Sequence, residues 1–404
     1  MCTECSMRKK SKIILLVYFI VLFGYMPTAR YTDKLISIIT LMILCLNFAV
    51  DFLRRKQFKL DKCVCWYILV VFFGLITSLV SSNMDNFELF FTRVFPLVLV
   101  GVIYVSNCIK NENDVEEVFR LVIVAGSIAA LRFCYYTPWS NYLRGQFGSM
   151  LDDVTNYNNY TTQLAVICII AAYYAFIKRE KWSWLPFSIL FAVTLIGGSR
   201  KNFLIIPFII LYYSLSQGNI KRKYKTLVAF ALIIGGGYYA IMHLEILSQI
   251  KEKTLEMLSG LFSRYASVTT IDESTQERIF LQKTAFEVWT GHPFLGVGFN
   301  NFKLHNYLGI SAHNNYLEIL ASNGLLGFLL YYSKYLEMLW LTIKKYFIRH
   351  EGSLNLLFSG VILGIMLQEY GAVNIYLNER MVIILVIFIS CSVCNGRKRY
   401  TLKI

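Results

Sequence analysis

His313 is the residue of this chain best suited to acid–base chemistry. It lies within residues 311–318, whose sequence is SAHNNYLE, directly before an apolar stretch. Histidine titrates near neutral pH, so a well-placed imidazole can take a proton from a hydroxyl group. The alternative interpretation is an incidental loop histidine, which we adopt for His243, His292, His305 and His350. No cysteine, histidine or carboxylate stands at metal-ligand spacing from His313, so we predict neither a zinc site nor a cofactor.

Four arginines lie in segments predicted to be outside the membrane, where cations are less common and could have a function: Arg144, Arg200, Arg278 and Arg380. Arg200 has the tightest setting, because residues 197–202 (GGSRKN) form a short turn between two apolar stretches. The planar guanidinium fork matches phosphate oxygens. The alternative is an arginine that pairs with an acid or extends its head to water.

The elements that carry these residues are apolar. Of 404 residues, 56% are hydrophobic and 16% are charged, with a mean hydropathy of +0.52. Soluble domains have about a quarter of their residues charged. Apolar runs of about 20 residues, long enough to cross a bilayer, recur along the chain. We predict an all-α polytopic membrane protein with about twelve spans, at 13–29, 35–52, 63–81, 88–106, 117–136, 161–177, 183–198, 202–216, 226–242, 320–341, 353–370 and 381–395.

The distribution of Lys and Arg orients these spans. With the N-terminus inside, the inside segments carry 24 basic residues and the short outside segments carry 6. Basic residues favour the cytoplasmic side, so both termini are predicted to be cytoplasmic. No small-residue cleavage site follows the first apolar run, so we expect that helix to be kept. The net charge of +15 is spread over many short blocks, which argues against a nucleic-acid partner.

We predict a single integral membrane domain, 1–404, that contains one large extracytoplasmic catalytic loop, 243–313. A leucine stripe over 244–261 predicts an amphipathic helix at the membrane surface. A second helix is expected from Ser274, where Glu277 completes a capping box, to Gly291. The segment Gly296-Val297-Gly298 lacks the third glycine of a dinucleotide fingerprint, so we expect a tight turn that packs Phe294 and Phe299.

Three stretches together resemble the signature region of the O-antigen ligase and Wzy-type polymerase superfamily. They are residues 291–302 (GHPFLGVGFNNF), 312–318 (AHNNYLE) and 323–327 (NGLLG). The layout of the whole chain is also similar to that superfamily, with about twelve helices and a large outer loop before the last few. The signature is specific to the superfamily and does not separate its branches.

The resemblance implies a metal-independent glycosyltransferase that uses a polyprenyl-pyrophosphate-linked sugar at the outer face of the bacterial plasma membrane. It makes His313 the base that deprotonates the acceptor hydroxyl, with Asn314 and Glu318 in supporting roles. The resemblance also implies that Arg200 and Arg278 bind the donor pyrophosphate. Arg144 resembles a further arginine of the family, but residues 156–159 (NYNN) lack the proline of the element that usually follows.

The leading functional hypothesis is a polymerase that joins lipid-linked oligosaccharide repeat units into a capsular, exopolysaccharide or O-antigen chain. The alternative is a ligase that transfers finished glycan to another acceptor. A transporter for a polar solute fits less well, because transporters place charges near the bilayer midplane and the predicted span centres lack charge. The expected partners are the bilayer, the lipid-linked donor and acceptor, and other polysaccharide-assembly proteins.

Overall fold

The structure is a computed structural model that describes residues 7–26, 31–136, 157–196, 200–216, 273–397 and 399–403, with single positions between 221 and 228. Within these ranges the chain is almost entirely helical. Its helices and strands are, in chain order, α1 (Lys9–Gly24), α2 (Tyr31–Arg55), β1 (Gln57–Leu60), α3 (Lys62–Val80), α4 (Asp85–Arg93), α5 (Phe95–Cys108), α6 (Glu112–Tyr136), α7 (Tyr157–Ala172), α8 (Trp184–Ile196), α9 (Arg200–Leu215), α10 (Glu273–Gly291), α11 (Asn315–Ile343), α12 (Leu354–Glu369), α13 (Asn378–Cys394) and β2 (Tyr400–Lys403).

Five helices among the described residues are long and apolar enough to cross a membrane: Lys34–Arg54, Lys62–Val80, Asp85–Cys108, Glu112–Tyr136 and Tyr160–Lys178. They support the prediction of a helical membrane protein. Every predicted span except 226–242 falls on a helix of the structure. That span lies almost wholly outside the described residues, and the count of twelve stays a prediction.

Apolar packing inside the bundle and apolar exposure outside it both suit a bilayer. Helix α1 packs along α6, while α11 packs against α3 and α12. The outward face of α2 carries Ile38, Met42, Leu46 and Leu53, each more than half exposed. A continuous exposed apolar face of this kind suits lipid tails rather than water.

The first and last described residues of the chain lie at the same end of the bundle. Strand β2 pairs antiparallel with β1, a small sheet that the all-α prediction did not include. The Met7 N–H donates to Asp114 Oδ1 (2.9 Å), and Arg399 forms an ion pair with Asp61 (3.4 Å). We call this the termini end. Its placement in the cytoplasm stays a prediction.

Helix α10 confirms the helix predicted between Ser274 and Gly291. The predicted surface helix over 244–261 lies outside the described residues. A small separate core joins α10 to the first turns of α11 and the loop between them, through Leu281, Ala285, Phe302, Ala312 and Ala321. Residues 273–313 therefore fold over one end of the bundle, the end at which α11 begins. We call this the motif end.

Candidate active site

Helix α11 is broken at Gly324, and the segment 293–298 fills the break. Gly324 has φ +65° and ψ −172°, far from helical values. The helix therefore cannot pair the backbone groups on either side internally, and the inserted segment pairs them instead. These hydrogen bonds are Leu325 N–H to Pro293 O (2.8 Å), Leu326 N–H to Phe294 O (3.2 Å), Val297 N–H to Ala321 O (2.9 Å) and Gly298 N–H to Ser322 O (2.8 Å).

The close approach of the two segments explains two of the motif glycines. A Cβ on Gly324 would overlap the Phe294 carbonyl group, and one on Gly296 would overlap the Ser322 backbone. Both glycines also have positive φ, which L-residues with side chains rarely adopt. The sequence motifs 291–302 and 323–327 are therefore the two halves of one backbone junction.

The turn packs one of its two flanking phenylalanines. Phe299 is buried against Phe90 and Tyr376, with ring centroids 4.7 Å and 5.0 Å away. Phe294 is 64% exposed. The prediction that the turn packs Phe294 was wrong, because the segment uses the Phe294 backbone rather than its side chain to join α11.

His313 is held in a strained conformation by its two neighbours. Its φ is +51°, in the left-handed region that costs a non-glycine residue energy and recurs at functional sites. On one side, the Ala312 N–H donates to Glu318 Oε2 (2.8 Å). On the other, Asn314 Oδ1 accepts from the N–H groups of Tyr316 (3.0 Å) and Leu317 (3.2 Å), which caps α11.

Glu318 is fully buried and joins three parts of the motif end. Besides the Ala312 N–H, it accepts from Ser322 Oγ (3.3 Å) beside the helix break. The Tyr376 hydroxyl, from the loop after α12, bonds to Glu318 as well and accepts from the Asn300 N–H (3.1 Å). Glu318 thus fixes the backbone that carries His313, and its supporting role in catalysis stays a prediction.

The surroundings of His313 favour its neutral form. Burial lowers the pKa of His313, and the nearby charges of Arg278 and Lys201 lower it further. An imidazole that is neutral at neutral pH is able to accept a proton. The charges of Arg278 and Lys201 therefore act on His313, and the sequence had assigned no role to Lys201.

Two further arginines named from the sequence have no described side-chain contacts. Arg200 is the first residue of α9, and its backbone alone is described. Arg144 lies outside the described residues, within 137–156. Their roles at the donor pyrophosphate stay predictions.

Arg380 is buried at the start of α13. It donates to Asn374 Oδ1 and to Val373 O (3.5 Å) in the turn that follows α12. Its charge lowers the pKa of Lys201, as does that of Arg278, although burial is the main cause of that shift. The charges of Arg380 and Arg278 therefore both act on Lys201.

Sequence reasoning missed a buried polar network around Glu369. This carboxylate accepts from the hydroxyls of Tyr332 (2.8 Å), Tyr335 (3.1 Å) and Tyr331 (3.4 Å) and from Asn374 Nδ2 (3.0 Å). The tyrosine spacing places these hydroxyls on one side of a helix and could have indicated the network.

Asn315 connects that network to the residues around His313. Its Oδ1 accepts from the backbone N–H groups of Asn374 (3.0 Å) and Ile375 (3.4 Å), and its Nδ2 donates to the Tyr332 hydroxyl (3.0 Å). The turn after α12 is therefore fixed to the start of α11. Among the described residues, no group of three His, Cys, Asp or Glu side chains could hold a metal ion.

Comparison with known proteins matches the same region. A family model described as O-antigen ligase matches residues 159–332, from α7 into α11, which include Arg200, Arg278 and His313. Over these residues the chain is similar to the O-antigen ligase family. It is also 25% identical over 297 residues to a Rickettsia felis protein named "Putative polysaccharide ligase", covering 69% of this chain and 68% of that protein. The resemblance carried by the three motifs is thereby confirmed.

Proposed function

We propose that this protein transfers a glycan from a polyprenyl-pyrophosphate donor to an acceptor hydroxyl, at the outer face of the bacterial plasma membrane. The observation that carries the proposal is the strained backbone of the partly buried His313 at one end of a bundle of apolar helices, where the charge of Arg278 acts on it. A donor anchored in lipid would present its pyrophosphate at the membrane boundary. That location suits a site built on helix ends.

In the proposed reaction, the acceptor oxygen forms a bond to the anomeric carbon, and the bond from that carbon to the pyrophosphate oxygen breaks. His313 takes the proton of the acceptor hydroxyl, and its neutral form is the one that burial and nearby cations favour. Such general base catalysis contributes roughly 10²–10⁴-fold to rate. The leaving group is the lipid pyrophosphate, which carries the electron pair away.

Fixed cations supply the second part of the proposed catalysis. Negative charge builds on the pyrophosphate as the bond breaks, and preorganised donors stabilise it better than water does. Arg278 is an arginine whose charge lowers the pKa of His313, after burial as the main cause. Arg200 and Arg144 are proposed to complete the pyrophosphate contacts. With cations in this role, the proposed reaction is metal-independent.

Two acceptors fit this chemistry. In a polymerase the acceptor is another lipid-linked repeat unit, which is the hypothesis drawn from the sequence. In a ligase the acceptor is a different molecule that receives finished glycan. The names of the matching family and of the R. felis relative support the ligase at least as well.

A deletion strain distinguishes the two acceptors. Loss of a polymerase leaves single repeat units on the lipid carrier, whereas loss of a ligase leaves long chains there. Complementation with His313→Ala is expected to reproduce the deletion phenotype although the protein is made and inserted, and His305→Ala, in the same segment, is expected to restore wild-type glycan. Normal glycan with His313→Ala would remove the catalytic assignment.

A further inference from the structure

Lys201 projects from the first turn of α9 onto the turn that follows α12. Its Nζ donates to Gly371 O (2.8 Å). A Cβ on Gly371 would lie 3.2 Å from Lys201 Cδ, so the absence of a side chain there leaves room for the lysine to cross the turn. The same turn continues to Asn374, whose N–H donates to Asn315 (3.0 Å), two residues after His313. Lys201 therefore occupies a defined position beside the candidate active site.

The charge of Lys201 is poorly offset by the groups around it. The ammonium group has three donors, and its hydrogen bond is to a neutral carbonyl. In the described part of the chain Lys201 forms no ion pair, and its charged neighbours Arg278 and Arg380 are also cations. The carboxylates Glu379 and Glu369 act on the charge of Arg380. Among the described residues neither forms an ion pair with Lys201, whose hydrogen bond is to Gly371 O.

Holding like charges together in a partly buried place costs free energy unless an anion neutralises them. A protein keeps such an arrangement of charges where they bind a ligand. A diphosphate has enough negative charge and enough acceptor oxygens to meet several cations at once.

We propose that Lys201 is a further anion-binding residue of the active site and contacts the pyrophosphate of the donor together with Arg278. This inference rests on the proposed function and deepens it. It assigns a phosphate contact to the residue next to Arg200 and places that contact across the turn from Arg380. The lysine acts on the leaving group and not on the acceptor hydroxyl.

The test uses the purified full-length protein in nanodiscs, with inorganic pyrophosphate as the probe. Inhibition of glycan transfer by pyrophosphate and the KM for the lipid-linked donor are measured for wild type, Lys201→Gln and Lys201→Arg. The matched control is Lys283→Gln, which removes an exposed lysine from α10. Unfolding temperatures without pyrophosphate report whether each variant is folded.

Lys201→Gln is expected to weaken pyrophosphate inhibition and raise the donor KM, each by about tenfold or more, because a hydrogen bond between charged groups is lost. Lys201→Arg is expected to recover most of the affinity, and Lys283→Gln to behave as wild type. Wild-type inhibition and KM in a folded Lys201→Gln protein would overturn the inference.

Two other results would also overturn it, and they are distinguishable. If wild type neither binds pyrophosphate nor uses a pyrophosphate-linked donor, the proposed function fails and Lys201 loses its ligand. If phosphatidylglycerol in the nanodiscs stabilises wild type but not Lys201→Gln, while pyrophosphate inhibits both equally, the lysine binds a lipid headgroup instead.

Discussion

At the termini end the cations form ion pairs with carboxylates, whereas at the motif end Lys201 forms no ion pair among the described residues and the buried Glu318 and Glu369 accept bonds from neutral groups. Ion pairs at the termini end include Lys12–Glu117 (2.9 Å), Lys178–Glu116 (3.0 Å) and Arg399–Asp61 (3.4 Å). At the motif end, Glu318 and Glu369 bind backbone, amide and hydroxyl donors. The first arrangement neutralises charge and stabilises the fold. In our proposal, the second leaves the charge of Lys201 for an anionic ligand.

The largest effect on stability is expected at the termini end. Arg399→Ala leaves Asp61 buried without its ion-pair partner and should cost about 3–5 kcal/mol of unfolding free energy. Arg399 also donates to the carbonyls of Ser106 (2.8 Å) and Ile109 (2.6 Å), and the variant loses both hydrogen bonds. Denaturant unfolding in detergent measures the loss, and glycan transfer per folded molecule should stay at the wild-type value.

The control is Arg8→Ala, which removes an exposed partner of Asp51 and should cost no more than about 1 kcal/mol. The contrast between the two ends would be wrong if Arg399→Ala abolished transfer while leaving stability intact.

A glycine pair separates backbone strain from close packing at the motif end. Gly324 and Gly309 have nearly equal φ, +65° and +64°, but only Gly324 has backbone atoms where a Cβ would lie. Gly309→Ala should cost about 1 kcal/mol through φ alone. Gly324→Ala should cost about 3 kcal/mol, because the segment 293–298 must also move.

Ser322, beside the break in α11, bonds to Glu318, and Glu318 accepts from the Ala312 N–H next to His313. Gly324→Ala should therefore also reduce transfer, measured per folded molecule. Equal stability and equal transfer for the two variants would show that the backbone junction is not needed to position the site.

The sequence was sufficient for features that depend on local pattern. Apolar runs located the helices, and the capping box at Ser274 located α10 to within one residue. The motifs named His313 and Glu318 as site residues. The break in α11 was not predictable, because Gly324 is recognisable as a break only once the partner segment 293–298 is in place.

Long-range contacts explain what the sequence could not show. Lys201 became a candidate only through its bond to Gly371, which is 170 residues away in the chain. Asn315 reaches Asn374 across 59 residues. Neither separation leaves a periodic or spacing signal, whereas Tyr331 and Tyr335, one helical turn apart, could have been noticed.

The smallest expected effect is a shift in pH dependence at the motif end. In the proposed reaction His313 must be neutral to take the proton, so the transfer rate should fall as the pH drops through the pKa of His313, which lies below the ordinary 6.5. Arg278→Gln removes a charge that lowers this pKa, so the acidic limb of the rate profile should move to higher pH.

The matched variant is Lys283→Gln on the same helix, whose acidic limb should stay where it is in wild type. An unchanged limb with Arg278→Gln would mean that Arg278 does not set the protonation of His313.

The most direct test of the role of His313 is a single-turnover reaction with a defined polyprenyl-pyrophosphate-linked glycan and purified protein in nanodiscs. We expect wild type to transfer the glycan and release polyprenyl pyrophosphate. We expect His313→Ala to bind the donor with wild-type affinity but to transfer it at least about 10²-fold more slowly. Transfer by His313→Ala at the wild-type rate would contradict this role.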